Sequence, residues 1–552
     1  MNEMKTNDYI VFIIYLIVVS TYGYWIYSRK KKAAADSKDF FLAEGSLTWW
    51  AIGASLIASN ISAEQFIGMS GSGFAMGLAI ASYEWMAAVT LIVVAVFFLP
   101  IYLKNKIYTM PQFLAQRFSP LVATIMAVFW LLVYIFVNLT SILYLGALAV
   151  NTITDFGFTT CVIGLSVFAV IITLGGMKVI GFTDVIQVLV LVLGGLATTY
   201  LALELVAQKL SGGDIWTALA YVKENASDHF HMVLNKGQMM MPDGKGGTED
   251  AYQKLPGLAV LIGAMWIANL NYWGCNQYIT QRALGADLPT ARSGLLFASF
   301  LKLLMPVIVV LPGIAAFVLY KNGFFQSEMM TTIQIGDESK EVLRSDRAYP
   351  VLLNLLPTGL KGLSFAALTA AIVASLAGKA NSISTIFTLD LYKKYFKKDA
   401  SEKHLVNVGK VAIIVAMLIA IVMAPQLSRF DQAFQFIQDF TGLISPGVVA
   451  IFLLGMFWKR ANGLAALLAA LATLPLGIGF NEWLPNIPFL HRMGYVFLIL
   501  VALMVITSLL QPKKENENHI EVDLSAFRVG KRFGVGMLLV LGVIAALYVA
   551  FW

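Results

Sequence analysis

The chain has 552 residues, 59% of them hydrophobic and only 13% charged, with a formal net charge of +7. Its mean hydropathy is +0.75, which excludes the soluble globular classes, and no nucleic-acid partner is needed to explain the charge. A bilayer span takes about 20 apolar residues, and about fourteen segments qualify, so the chain reads as an all-α polytopic membrane protein.

Numbered from zero, the first span covers about 9–27 and is followed by Arg29-Lys30-Lys31-Lys32. A basic run after an apolar segment argues for a retained anchor rather than a cleaved signal peptide. Spans 1–5 follow at about 47–72, 77–103, 121–152, 158–177 and 180–207. Spans 6–10 lie at about 255–281, 292–320, 358–391, 406–425 and 432–458, and spans 11–13 at about 463–480, 492–511 and 534–551. With the amino terminus outside, every short basic loop is cytoplasmic, among them Lys104/Lys106/Arg117, Lys393/Lys394/Lys397/Lys398, Lys459-Arg460 and Lys513/Lys514/Arg528/Lys531/Arg532. That satisfies the positive-inside rule in a plasma (inner) membrane and puts both termini outside. The long polar stretches at about 208–254 and 321–357 then fall outside, as connectors or lids; Met239-Met240-Met241-Pro-Asp-Gly-Lys-Gly-Gly reads as a flexible tip.

Cys161 and Cys275 both fall inside predicted spans, which disfavours a disulfide framework or metal site. The five histidines fall in loops or at a span edge, leaving no histidine relay in the membrane. No catalytic constellation and no ATP-binding motif is present, so the chain is not expected to be an enzyme. Any transport would draw its energy from an ion gradient.

Span 1 breaks midway, where Ala58-Ser59-Asn60-Ile61-Ser62 gives way to Glu64, Gln65, Gly68, Gly71 and Gly73. Backbone that leaves helical geometry at membrane depth is tolerated only where protein or a watery cavity satisfies its polar groups. Five spans later, span 6 is expected to break at Asn269-Leu270-Asn271-Tyr272-Trp273-Gly274. Two interrupted spans in matching places point to an inverted repeat with an ion and solute site between them. An ionised side chain in the bilayer core costs about 2.5–3.5 kcal/mol on insertion scales, so Glu84 and Lys302 should face a cavity or each other.

These residues carry a resemblance. The segments ASLIASNISAEQFIGMSGSG, ASYEWM, YIFVNLTSILYLG, GFTDVIQV, WIANLNYWGCNQYITQR, FLKLLMPVIVVLPG, AALTAAIVASLAGKANSISTIFTLDLYKKY and QAFQFIQDFTGLISPG run over nearly the whole length. Together they resemble the sodium/glucose cotransporter (solute:sodium symporter) family, and within it the bacterial sodium/galactose symporters. The resemblance implies a LeuT-type core of two inverted five-helix repeats, 47–207 and 255–460, with broken helices 1 and 6. Residues 1–46 form an extra helix and basic cytoplasmic loop, 208–254 an outer loop, and 461–552 three further helices.

By position, the resemblance implies sugar contacts at Gln65, Glu84, Asn269, Lys302 and Gln438, with Asn60 close by. Tyr272 falls at the inner gate, and Met69, Tyr83 and Phe434 at the outer one. Ala87 stands where a close relative has a serine near the sugar, so galactose itself is not carried over. The sodium positions are the carbonyls of Ala58, Ile61 and Ala371 and the hydroxyl of Ser375; Ala374 stands where the pattern has a second hydroxyl. The implied function is sodium-coupled symport of a monosaccharide of the glucose/galactose type by alternating access. An inositol-like polyol is the other solute class.

Lys379 departs from the family, whose members are apolar there. It follows Ser375 by four residues, on the same helix face. An ammonium about 6 Å from a bound cation opposes it by roughly 3 kcal/mol at an effective dielectric near 20, about a hundredfold in affinity. Three arrangements are open. Lys379 pairs with an acid, with Asp184 on the ion exit path as the first choice; it snorkels away; or its ammonium replaces the cation, making transport sodium-independent or proton-linked.

Overall fold

A computed structural model gives the fold and describes residues 5–29, 47–154, 156–243, 246–335, 338–354, 356–429, 433–512 and 520–552. Among these, eleven helices are long and apolar enough to cross a bilayer, and twelve if a helix pair bent by 75° at Gly263-Ala264 counts as one span. The expected count of about fourteen is not reached on that measure. The break in span 1 leaves a first arm of only 12 residues, Trp49–Asn60, and span 4 is the 16-residue helix Phe158–Thr173. Large apolar side chains on the outer spans, such as Ile13, Leu189, Val422 and Leu510, are exposed and face where lipid would lie.

Span 1 breaks at the expected place. Trp49–Asn60 ends as Ile61 turns extended (φ −80°, ψ 106°), and a π-helical turn, Glu64–Met69, starts the second arm and leads into Ser70–Met76. The Gln65 side-chain oxygen accepts from the Ser62 backbone N–H (3.0 Å) and hydroxyl (3.2 Å), which occupies a donor freed by the break. Span 7, Leu288–Lys321, packs along both arms. At Gly313 a Cβ would stand 2.1 Å from the Ser70 carbonyl oxygen, so only glycine permits that approach.

The second break differs from expectation. Helix Met265–Gly274 runs through Asn269 and Tyr272, with one interruption before it at the Gly263-Ala264 bend and another after it at Cys275-Asn276, before Gln277–Leu284. The asparagines meant to break the helix are accommodated within it: the Asn269 amide donates to the Met265 carbonyl (3.1 Å) and Asn271 to the Ser445 hydroxyl (2.9 Å). Asn276 is the residue that interrupts, capping the next arm by accepting from Tyr278 N–H.

Both chain ends lie on one face with the two long polar stretches. The Asp8 carboxylate accepts from the backbone N–H groups of Gly359 and Gly362 where span 8, Leu360–Phe396, begins. His231 bonds the Trp552 carbonyl and Met232 N–H the Phe551 carbonyl. Of the stretch expected to be a flexible tip, Met240–Pro242 pairs antiparallel with Thr248–Asp250, with Met241 fully buried, and Gly244 and Lys245 lie outside the described residues. A second hairpin pairs Met330–Ile335 with Glu338–Leu343. On the opposite face, Lys104 pairs with Glu521 and Asp523 (3.5 Å each), and Arg117 donates to the carbonyls of Gly455, Trp458 and Lys459. Of the basic residues assigned to loops, Lys30, Lys31, Lys32, Lys513 and Lys514 lie outside the described residues.

Candidate solute and ion site

One cavity lies between spans 1, 2, 3, 6, 7, 8, 10 and 12, at the level of the span 1 break and of Cys275-Asn276 in span 6. Asn60, Gln65, Glu84, Asn269, Lys302 and Gln438 all line it, together with Tyr272, Met69, Tyr83 and Ala87. Its open space is about 90 Å³, several times the roughly 10–15 Å³ that a cavity needs to hold one water. Phe434 falls in the first turn of Ala433–Phe457, and its side chain lies outside what the structure describes.

The strongest polar element is an ion pair. Lys302 on span 7 donates to the Glu84 carboxylate on span 2 and to the Asn60 side-chain oxygen, with its ammonium 5.2 Å from the centre of the Trp273 ring. Charge-assisted bonds of this kind contribute about 1.5–3 kcal/mol each. They leave the outer lone pairs of Glu84 and the amides of Gln438 and Asn269 to meet a hydroxylated solute. Below them, Asn60 donates to the Tyr272 hydroxyl (3.0 Å), which also bonds Tyr278, and Tyr278 donates to the Ser59 carbonyl (2.9 Å). Tyr272 is thereby tied to the end of the broken arm.

The last carbonyls of a helix have no partner within it. Here those of Ala58, Ser59 and Ile61 converge on the Ser375 hydroxyl of Leu360–Thr385, at 3.2, 3.0 and 3.4 Å. Ala371 and Ala374 are buried on the same helix. Oxygen ligands gathered in this way suit a hard monovalent cation, and Ala374 adds none from its side chain.

Lys379 does not pair with Asp184. Its nearest acid is Glu64, with Nζ 3.9 Å from Oε1, and the ammonium lies 5.1 Å from the centre of the Tyr278 ring. Both Glu64 and Lys379 line the cavity, so the side chain does not snorkel away. Asp184 instead accepts from Ser55, which also accepts from Arg282 Nε at 2.8 Å. Sequence reasoning passed over Glu64, Arg282 and Tyr278. For Glu64, inside span 1, the cost of intramembrane ionisation applied above to Glu84 and Lys302 would have flagged it equally; Arg282 lies just past the expected end of span 6, and nothing in its spacing marks Tyr278.

Residues 40–473 match the sodium:solute symporter family. The chain belongs to that family. This symporter is 46% identical over 554 residues to the sodium/glucose cotransporter of Vibrio parahaemolyticus, covering 99% of this chain and 98% of that one. It is 33% identical over 489 residues to the human sodium/myo-inositol cotransporter 2, covering 86% of this chain and 70% of the human protein. The solved structure of a substrate-bound, outward-open Na⁺-coupled sialic acid symporter superposes with a TM-score of 0.76 at 22% identity, over 93% of this chain and all of that one. That likeness establishes the LeuT-type fold, and family membership makes the chain a sodium-coupled transporter rather than an enzyme.

Proposed function

We propose that this symporter couples sodium entry to the uptake of a monosaccharide of the glucose/galactose type. The observation that carries the reading is the gathering of Asn60, Gln65, Glu84, Asn269, Lys302 and Gln438 around one cavity, beside the carbonyl cluster at the span 1 break. A sugar offers several hydroxyls and a flat C–H face; an acid, an ammonium, amides and the Tyr272 ring match both. The name of the Vibrio relative supports glucose as the substrate class. The human relative's name supports an inositol-like polyol as a second reading, at lower identity.

Sodium bound by Ala58, Ile61, Ala371 and Ser375 would hold span 1 against span 8 and keep the sugar site intact. Sugar entry would then let Met69, Tyr83 and Phe434 close the outer side. Loss of sodium to the cell interior would loosen Tyr272 and release the sugar inward, with Asp184 on the ion's exit path. In this reading residues 47–207 and 255–460 are the inverted repeats, and the chain sits in the plasma (inner) membrane with both termini outside. The shared face of the chain ends and the long polar stretches supports that orientation.

The test is uptake of labelled glucose and galactose into proteoliposomes, with and without an inward sodium gradient. Accumulation above the external concentration only with the gradient is expected. Uptake of either sugar that ignores sodium would overturn the coupling, and no uptake of either would overturn the sugar.

A further inference from the structure

We propose that Glu64 is a positioning residue for coupling: its carboxylate holds the Lys379 ammonium away from the carbonyls of Ala58, Ser59 and Ile61, leaving them open to sodium. The inference rests on the sodium-coupled reading above. Lys379 lies one helical turn beyond Ser375 on Leu360–Thr385. Helical side chains lean toward the amino-terminal end of their helix, so this one reaches back over the Ser375 turn. The ammonium lies 5.1 Å from the Tyr278 ring centre, and the Tyr278 hydroxyl donates to the Ser59 carbonyl at 2.9 Å. Ser375 donates to that same carbonyl at 3.0 Å. A single phenol ring therefore separates the tethered cation from the cluster that would hold the free one.

Two contacts fix the ammonium where it is. Glu64 Oε1 lies 3.9 Å from Nζ, and the same oxygen accepts from the Ser141 hydroxyl on span 3 at 2.9 Å. The carboxylate is thus anchored from a third span. A buried ammonium that loses its anion turns to the nearest acceptors, because an unsatisfied charge at membrane depth is costly. In this proposal those acceptors are the carbonyls of the break, which Ser375, one turn back on the same helix, already contacts. Two unit charges about 6 Å apart at an effective dielectric near 20 oppose each other by a factor of about a hundred in affinity. The Glu64–Lys379 pair then decides whether the cluster receives an ion from solution or the chain's own ammonium.

The sodium concentration for half-maximal uptake of labelled glucose and galactose would be measured in proteoliposomes for the parent protein, Glu64→Gln, Lys379→Met and the double variant. Glu64→Gln is expected to raise it at least tenfold, or to leave a sodium-independent component. Lys379→Met is expected to lower it several-fold, and the double variant to return within about twofold of Lys379→Met. That rescue is the signature of positioning, since a merely structural loss at Glu64 would persist in the double variant. An unshifted Glu64→Gln, or a double variant as impaired as Glu64→Gln, overturns the proposal while sodium-driven uptake by the parent protein stands. Parent uptake indifferent to sodium overturns both this and the reading beneath it. Should Glu64→Gln not fold, Lys379→Met decides: an unchanged sodium requirement there overturns the proposal.

Discussion

Glu84 and Lys302 form a hydrogen-bonded ion pair whose side chains are only 4% and 1% exposed, bridging spans 2 and 7 across the cavity. Removing one partner of such a pair leaves the other charge buried and alone, at about 3–5 kcal/mol. Lys302→Met is therefore expected to lower the thermal unfolding midpoint in detergent. Adding Glu84→Gln to it should recover part of that loss, because the stranded carboxylate is gone. Glu84→Gln alone keeps an acceptor for Lys302 but exchanges charged bonds for neutral ones. Its expected effect is a loss of at least tenfold in apparent sugar affinity with the fold retained, checked by uptake beside the unfolding scan.

Tyr272, proposed above as the inner gate, lines the cavity and bonds Asn60 and Tyr278 through its hydroxyl. Tyr272→Phe keeps the ring and removes the hydroxyl, a change of about 0.5–1.5 kcal/mol. Sugar counterflow from preloaded proteoliposomes should speed up by roughly two- to tenfold. Tyr272→Ala should lose sugar retention as well.

The carbonyl cluster around Ser375, proposed above to hold sodium, gives a gain-of-function test. Ala374→Ser restores a hydroxyl beside Ser375 and is expected to lower the sodium concentration for half-maximal uptake several-fold. Ser375→Ala should raise it, since Ser375 supplies the hydroxyl among the Ala58, Ser59 and Ile61 carbonyls.

The outer segment has a pH dependence of its own. His229 is buried, bonds the Phe74 carbonyl through Nε2 (3.0 Å) and stacks on Phe317. Burial pushes its pKa down to about 4, assisted by Lys321 and opposed by the Phe74 bond and by Asp228. A base with a depressed pKa docks in its neutral form. Docking is therefore at full strength above about pH 6.5, weakens as the pH falls, and has lost most by about pH 4. At about 1.36 kcal/mol per unit that loss reaches roughly 3 kcal/mol. Proteolysis of the 238–250 hairpin should accelerate between pH 7 and pH 4.5, and His229→Gln should flatten that dependence. Gly77→Ala should expose the hairpin at every pH, because Gly77 has φ +67° and a Cβ there would stand 2.3 Å from the His229 carbonyl oxygen.

The break in span 1 was legible because small and polar residues interrupt an otherwise apolar run. In span 6 the same rule misplaced the break. Asparagine side chains can return to their own helix or cross to a neighbour, as Asn269 and Asn271 do, and composition does not distinguish these from a cap. That Asn60, Gln65, Glu84, Asn269, Lys302 and Gln438 share one cavity was legible through family positions and, for the two charges, through the cost of intramembrane ionisation. The partner of Lys379 was not, because it depends on which faces of spans 1, 5 and 8 meet. The first hairpin escaped notice because Met240–Pro242 and Thr248–Asp250 are three residues each, too short for an alternating pattern.

Among the described residues the cavity is lined by four acidic or basic side chains, Glu64, Glu84, Lys302 and Lys379, which sum to zero formal charge. An uncharged solute entering alone leaves that sum unchanged, whereas entry with one sodium ion makes it +1. The resting membrane voltage, at about 2.3 kcal/mol per charge per 100 mV, would then pull on the loaded carrier and leave the empty one to return unassisted and unhindered. A relative with an apolar residue in place of Lys379 would have an interior of −1 when empty, and for it the voltage would act on the return stroke instead. One lysine thus sets which half of the cycle is electrical.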